Sequence, residues 1–136
     1  MSKSNAIEDD TLAYWLTVDT MTITRPTTWF LALYKTDPMD DNSGIEISVA
    51  DDTAYARQAI AFDPPITDSG LVFNNADITY PATVLAVGSY TMTHFAIFDA
   101  VTAGNMLYHG TFGVSKTING GETITFAAGG ITVTED

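Results

Sequence analysis

The sequence predicts an all-β fold, an antiparallel β-sandwich of the jelly-roll type with one short N-terminal helix. Turn-forming clusters of Gly, Pro, Asn and Asp recur about every ten residues, a spacing typical of such sandwiches. The segments between them are rich in Thr, Val, Ile and aromatic residues, which favour strands. Strand-like and helix-like segments do not alternate along the sequence, which argues against a parallel sheet. We therefore expect about nine strands in a single domain that spans residues 1–136.

The amino-acid composition argues against nucleic acids and membranes as partners. A length of 136 residues suits one domain, and the lack of cysteine excludes a disulfide framework. Acidic residues outnumber basic ones by 17 to 5, and the net charge of −12 repels phosphate groups. We expect no nucleic-acid partner and no membrane partner. The N-terminal residues lack the apolar core of a signal peptide, so we expect a soluble protein that is made in a cytoplasm.

Residues 4–20 form the predicted helix. Ser4 is a suitable N-cap, and the acidic residues that follow it suit the positive end of the helix dipole. Leu12, Trp15 and Leu16 have the i, i+3, i+4 spacing of a single buried stripe. The pattern therefore predicts a short helix that packs one apolar stripe against the sandwich.

Residues 28–35 predict the first strong strand. The run is almost continuously apolar, which indicates burial of both faces. It ends at a dense group of turn formers within 36–44. Shorter runs predict further strands at 45–49, 54–62, 70–73, 77–80, 83–87 and 131–134.

The longest β signal lies in residues 90–112, around which the chain is organised. Two apolar runs flank a break at 99–105, which predicts a β-hairpin with a long loop. Apolar residues occupy both parities of the first run, as expected of a central strand that is covered on both faces. After the hairpin, Asn-Gly-Gly at 119–121 predicts a tight turn that pairs 115–118 with 122–127.

Two histidines are candidates for chemistry. His94 and His109 lie one on each arm of the predicted hairpin. Pairing Asp99 with Asn105 places the two histidines on opposite faces of the sheet, whereas a one-residue change of register places them side by side. Only the second arrangement supports metal binding or acid–base chemistry, and the sequence offers no evident third ligand. A structural polar role is therefore favoured.

Other patterns also argue against an enzyme. The acidic residues within 37–42 lack the Glu that closes an EF-hand loop, so a solvated turn is the simpler interpretation. No serine lies in a Gly-x-Ser-x-Gly elbow, and neither glycine pair leads into a phosphate loop. Arg57 is expected to pair with a carboxylate or to cover apolar surface with its stem. The sequence thus predicts no catalytic residue, no cofactor and no metal site.

Short sequence motifs along nearly the whole chain match those of a known family in their order and spacing. They lie at 32–38, 44–48, 55–58, 94–100, 104–110, 115–118 and 121–126. Through these motifs the chain resembles the small structural proteins of tailed bacteriophages, which are called virion structural, capsid decoration or tail-fibre proteins. The resemblance implies a place in the virion, assembly in the host cell cytoplasm and no catalytic residues.

The resemblance leads to two structural hypotheses. The first is a capsid decoration, or cement, protein that binds the major capsid protein as a homotrimer, because closed trimers fit the three-fold positions of a capsid lattice. The alternative is a tail or tail-fibre component with a face that binds a host-surface glycan. A hypothesis of another class, a small β-sandwich hydrolase or lyase, has no catalytic set to support it.

Three consecutive residues of the predicted helix are candidates for an interface. A helix that lies on a sandwich buries one stripe, which leaves Tyr14 or its neighbours Trp15 and Leu16 for another surface. Aromatic residues are common anchors of protein–protein contacts. We therefore predict a homotrimer that is held partly by the N-terminal segment. In the alternative arrangement, Tyr14 and Trp15 cap the sandwich of their own chain.

Overall fold

The computed structural model describes residues 1–135, and Asp136, at the end of the predicted domain, lies outside them. The chain is mostly β, with 36% strand and 9% helix, which confirms the predicted all-β antiparallel sandwich with one short helix. In chain order the elements are β1 (Ser2–Lys3), α1 (Asn5–Leu16), β2 (Trp29–Tyr34), β3 (Gln58–Ile60), β4 (Leu71–Phe73), β5 (Ile78–Thr79), β6 (Tyr90–Phe98), β7 (Met106–Ile118), β8 (Thr125–Phe126) and β9 (Thr132–Thr134).

The larger layer is an antiparallel sheet of five strands in the order β1-β7-β6-β2-β3. The predicted hairpin is formed by β6 and β7, and β6 lies between β7 and β2. Side chains alternate across the sheet, so Leu31 and Ile97 face one side while Ala32 and Phe98 face the other, and all four are buried. The prediction that β2 and β6 are covered on both faces is therefore confirmed.

The second layer consists of two separate two-stranded antiparallel sheets, β4–β9 and β5–β8. Their apolar residues, together with those of the loops, pack on one face of the large sheet and form the main core with it. The comparison with a jelly roll stays a prediction. The most buried members of this core are Leu31, Leu33, Ile47, Ile97 and Ile118.

The Asn-Gly-Gly turn is present, but its predicted strand pairing is wrong. Gly121 has the positive φ of +82° that such a turn requires. Beyond the turn the chain does not pair with the end of β7. Gly121 N–H instead donates to Thr83 O and Thr83 N–H to Glu122 O, each at 2.8 Å, and β8 then pairs with β5. The outgoing chain crosses to the second layer because Ile124 is buried in the core.

Two predicted strands, 45–49 and 83–87, are reduced to single bridges, Tyr34 with Glu46 and Asp52 with Leu85. Side chains take the hydrogen bonds that a ladder would use. The buried Asp52 carboxylate accepts the backbone N–H of Ala54 and the backbone N–H of Val84, each at 2.9 Å. The run predicted at 54–62 contributes the three residues of β3 and a single bridge of Phe62 with Asn74.

The helix begins where the sequence predicts and ends earlier. Ser4 is the N-cap, and its hydroxyl accepts the backbone N–H of Ile7 at 3.4 Å. The helix ends at Leu16 rather than near Thr20. Thr17 ends it because its hydroxyl bonds Ala13 O and accepts Asp19 N–H, and its backbone is extended.

Candidate assembly surface

Residues 4–28 form an N-terminal arm that consists of α1 and the extended return segment after it. The base of the arm is fixed to the body. Ser4 N–H donates to Leu107 O at 3.0 Å, and the Ser4 hydroxyl donates to Met106 O at 2.5 Å. Asn5 N–H donates to Asp40 O at 3.0 Å. The arm therefore begins at a fixed position on β7, where β1 also pairs.

Asp10 closes the arm on itself. Its buried carboxylate accepts three hydrogen bonds of 2.8 Å, from the backbone N–H and hydroxyl of Thr22 and from the backbone N–H of Ile23. These bonds, those of the backbone N–H groups first, hold the pKa of Asp10 below its ordinary value. Because the pKa is lowered on folding, the closure stabilises the arm at neutral pH and weakens only as the pH falls through the lowered pKa.

The apolar residues of the helix point to solvent, so the predicted buried stripe is wrong. Leu12, Trp15 and Leu16 are all exposed, Trp15 at 74% and Leu16 at 77%. Tyr14 is exposed at 60%, and its ring meets the Trp15 ring edge to face with a centroid separation of 5.0 Å. Neither aromatic side chain caps the sandwich of its own chain. We call the six exposed apolar residues of the arm the arm patch: Leu12, Tyr14, Trp15, Leu16, Val18 and Met21.

We expect Asp10→Asn to loosen the return segment without unfolding the sandwich. The amide keeps one acceptor oxygen and replaces the other with a donor that repels an N–H group. Hydrogen exchange of the Thr22 and Ile23 amides should therefore accelerate, as read by NMR or mass spectrometry. Asp9→Asn is the matched control because Asp9 is exposed on the same helix. Unchanged exchange at Thr22 and Ile23 in Asp10→Asn would show that the carboxylate does not hold the segment.

An apolar pocket of about 380 Å³ opens between the large sheet and the β4–β9 sheet. Its residues come from elements far apart in the sequence. Those that are buried are Ile97, Leu107 and Val133; those that are half-buried are Trp29, Phe62, Val72 and Tyr108; and those that are exposed are Pro65, Gly70 and Glu135.

The polar groups of this pocket bond each other. The Tyr108 hydroxyl donates to Glu135 Oε1 at 2.5 Å, and Lys3 Nζ lies 2.7 Å from Glu135 Oε2. Burial opposes ionisation of Glu135, but the hydrogen bonds from Lys3 and Tyr108 outweigh it and lower its pKa. Burial, with the adjacent Glu135, raises the pKa of Tyr108. The carboxylate is therefore ionised and already paired, which leaves the pocket mainly apolar.

The two histidines lie on one face of the sheet, as the second of the two registers considered from the sequence places them. An extra residue in β7, Leu107, shifts the hairpin register by one. As a result, His94 Nε2 and His109 Nδ1 each lie 3.7 Å from an Asp37 carboxylate oxygen. His109 Nε2 lies 2.9 Å from Asp40 Oδ1. These contacts tie the 36–44 loop to the sheet.

The acidic loop is satisfied by local bonds. Asp37 Oδ1 accepts Met39 N–H at 2.9 Å, and Asp41 Oδ1 accepts Ser43 N–H at 3.1 Å. The side chain and backbone of Ser43 lower the pKa of Asp41. Across residues 1–135, no three or more His, Asp or Glu side chains are arranged to hold a metal ion.

Arg57 pairs with a carboxylate, which is the first of the two roles that the sequence predicts for it. Its guanidinium pairs with the Glu46 carboxylate through two bonds of 2.8 and 2.7 Å. Its Nη1 donates to the carbonyls of Ala100 and Ala103, and its Cζ lies 3.6 Å from the centroid of the Phe98 ring. Despite burial, the bonds to Glu46 keep the pKa of Arg57 above its ordinary value. This cluster holds the hairpin loop against the sheet and has a structural role.

The fold and its surface describe a small all-β protein whose N-terminal arm exposes apolar side chains. A family model described as "Podophage GP4 fiber I protein gp80" matches residues 2–134, and the chain belongs to this family. This match confirms the resemblance to tailed-phage structural proteins, because the family is one of virion proteins. The comparison with curated proteins gave no match. None of the helices within residues 1–135 has the length and apolar character needed to span a membrane.

Proposed function

We propose that the protein is a non-enzymatic structural subunit of the phage fibre, and that the arm patch is the surface through which it assembles. The observation that carries the proposal is the exposure of Tyr14, Trp15 and Leu16 at 60, 74 and 77% on a helix that is fixed at its base. The family description names a fibre protein and so supports the tail-fibre alternative better than capsid decoration. The family is one of structural proteins, which supports the non-enzymatic part.

The arm patch has the size of an interface. An aromatic side chain buries about 150–250 Å² when it is enclosed, and a standard interface buries about 800 Å² on each partner. Two aromatic and four aliphatic side chains approach that area. Clustered apolar surface on a soluble protein typically marks an interaction site, and the Tyr14 and Trp15 rings of the patch are in contact.

A second copy of the same chain is the proposed occupant of this surface. With a net charge of −12, copies repel each other over most of their surface. The arm patch itself contains no charged side chain, so apolar contact is available there. Fibre subunits work as repeated copies, and a closed homotrimer, as predicted from the sequence, buries three equal patches around one axis.

The oligomeric state tests this surface. We expect the purified chain to have three times the 14.6 kDa mass of one copy in light scattering. The double variant Trp15→Ser, Leu16→Ser should have the mass of one copy and still unfold cooperatively, because both side chains are exposed on the single chain. Its thermal midpoint should lie below that of the associated wild-type chain, since association stabilises the folded state. Val114→Ser is the matched control, since Val114 is 84% exposed on β7, outside the arm. A wild-type chain that stays monomeric at tens of micromolar, or a double variant that stays associated, would contradict the proposal.

The copy number in purified virions tests the location. Quantitative mass spectrometry should give a number that matches the other fibre proteins. A number close to that of the major capsid protein would favour the capsid decoration hypothesis and make that protein the partner. The glycan-binding role stays a prediction. A glycan in the apolar pocket would have to compete with the hydrogen bond between the Tyr108 hydroxyl and the Glu135 carboxylate.

A further inference from the structure

The arm patch and the apolar pocket are complementary surfaces on the same chain. We infer that Trp15 of one copy inserts into the apolar pocket of a neighbouring copy, so that copies join head to tail. This inference rests on the proposed function and names the surface that receives the arm. In this arrangement the arm patch of one copy contacts the sandwich of the next copy and does not contact another arm patch.

The size of the pocket suits one large side chain. Its volume of about 380 Å³ lies at the lower end of the range of about 300–1,000 Å³ for cavities that enclose small ligands. An indole ring is smaller than most such ligands. The pocket can therefore receive Trp15 without a change in the packing of the two layers.

The chemistry of the pocket suits an aromatic guest. The half-buried rings of Trp29, Phe62 and Tyr108 line it, and aromatic rings favour edge-to-face and offset contacts with one another. Buried Ile97 and Val133 complete an apolar lining. A polar guest would have to compete with the bonds that Tyr108 and Glu135 already make.

The carboxylate among the residues that line the pocket, Glu135, is held in an ion pair. The arm carries exposed acidic residues: Glu8 precedes the patch, and Asp19 lies between Val18 and Met21. At the mouth, Glu135 is paired with Lys3, whose side chain is 24% exposed. The ion pair leaves no net charge at this point of the pocket, so Glu135 adds no net repulsion of an approaching acidic segment.

The arm does not fill the pocket of its own chain. Trp15 is exposed while its base is held on β7 through Ser4, and the return segment is held on the helix through Asp10. A contact between two different surfaces of identical subunits is heterologous. Such a contact closes into a ring, such as the predicted trimer, when the rotation between copies permits, and otherwise continues as an open filament.

Disulfide cross-linking between two chains tests the contact directly, since the natural sequence has no cysteine. One chain carries Leu16→Cys, which keeps Trp15, and a second chain of different tag length carries Pro65→Cys. Both positions are exposed, so both variants should fold. On mild oxidation we expect the mixed disulfide in at least tenfold excess over a control mixture of the Leu16→Cys and Val114→Cys chains, because docking raises the effective concentration of the two thiols to about millimolar.

Tryptophan fluorescence gives a second, independent readout. The two tryptophans of the chain are Trp15 and Trp29, and their combined emission should shift to the blue as the concentration rises, because docking encloses Trp15 against the Trp29 side of the pocket. Val72→Phe, which fills the pocket, should abolish that shift and the association.

The two proposals fail in different ways. A mixed disulfide no stronger than in the control, together with association that survives Val72→Phe, would overturn the pocket contact. Loss of association in the Trp15→Ser, Leu16→Ser variant would then still support assembly through the arm. A chain that does not associate under any condition would overturn both.

Discussion

Arg57→Ala is expected to lower the unfolding free energy by about 3 kcal/mol, the lower end of the range for breaking a buried ion pair. The Arg57 side chain is 7% exposed, and its partner Glu46 is 25% exposed, so water recovers part of the loss at Glu46. The truncation also removes the donor that Ala100 O and Ala103 O share. The hairpin loop then loses its main attachment to the sheet.

Urea unfolding measures this loss as a lower midpoint at an unchanged slope. Arg57→Lys should give an intermediate loss, because an ammonium group keeps the charge but cannot form the two-pronged contact with the carboxylate. Arg25→Ala is the control, since Arg25 is exposed on the arm. A loss in Arg57→Ala no larger than in Arg25→Ala would show that the cluster does not stabilise the fold.

Phe95→Ala and Ile97→Ala are each expected to cost about 2–5 kcal/mol. Both residues lie on the central strand β6, at 7 and 1% exposure, on the face that packs against the second layer. The Phe95 ring also contacts the Phe112 ring at a centroid distance of 5.2 Å. A small domain has a total stability of about 5–15 kcal/mol, so each truncation removes a large share of it.

Thermal unfolding of the two variants tests their place in the core. We expect clearly lower midpoints, or no cooperative transition at all. Val114→Ala is the matched control, because this side chain is 84% exposed on the neighbouring strand. A midpoint that equals the wild-type value in either variant would show that the residue is not part of the core.

The central strands could be predicted because their signals are local. The sequences of β2 and β6 are apolar at both parities, and burial of both faces is the physical cause of that pattern. Ser4 was recognisable as an N-cap because the capping interaction involves neighbouring residues. The strand ends and the short strands of the second layer depend on distant partners and were predicted less accurately.

The features that sequence reasoning missed are set by such distant contacts. The bulge at Leu107 moves the two histidines to one face, and nothing in the loop sequence indicates the extra residue. The i, i+3, i+4 spacing of apolar residues predicted that Trp15 and Leu16 are buried against the sandwich, because an apolar stripe on a helix usually faces the core of its own chain. Asp10 instead occupies the buried position, and its partners lie 12 and 13 residues away in a threonine-rich segment. The threonine-rich segment close after an acidic helix was the one sequence signal for this contact, because its hydroxyl and N–H groups can donate to a helix carboxylate.

Cryo-EM of the intact virion tests the central claim most directly, because it gives the location of the chain and the contacts of its arm at once. We expect this chain to be traced in fibre density, with Trp15 enclosed between copies and the arm no longer exposed. Density for the chain on the capsid shell, or fibre density in which the arm patch faces solvent, would contradict the account.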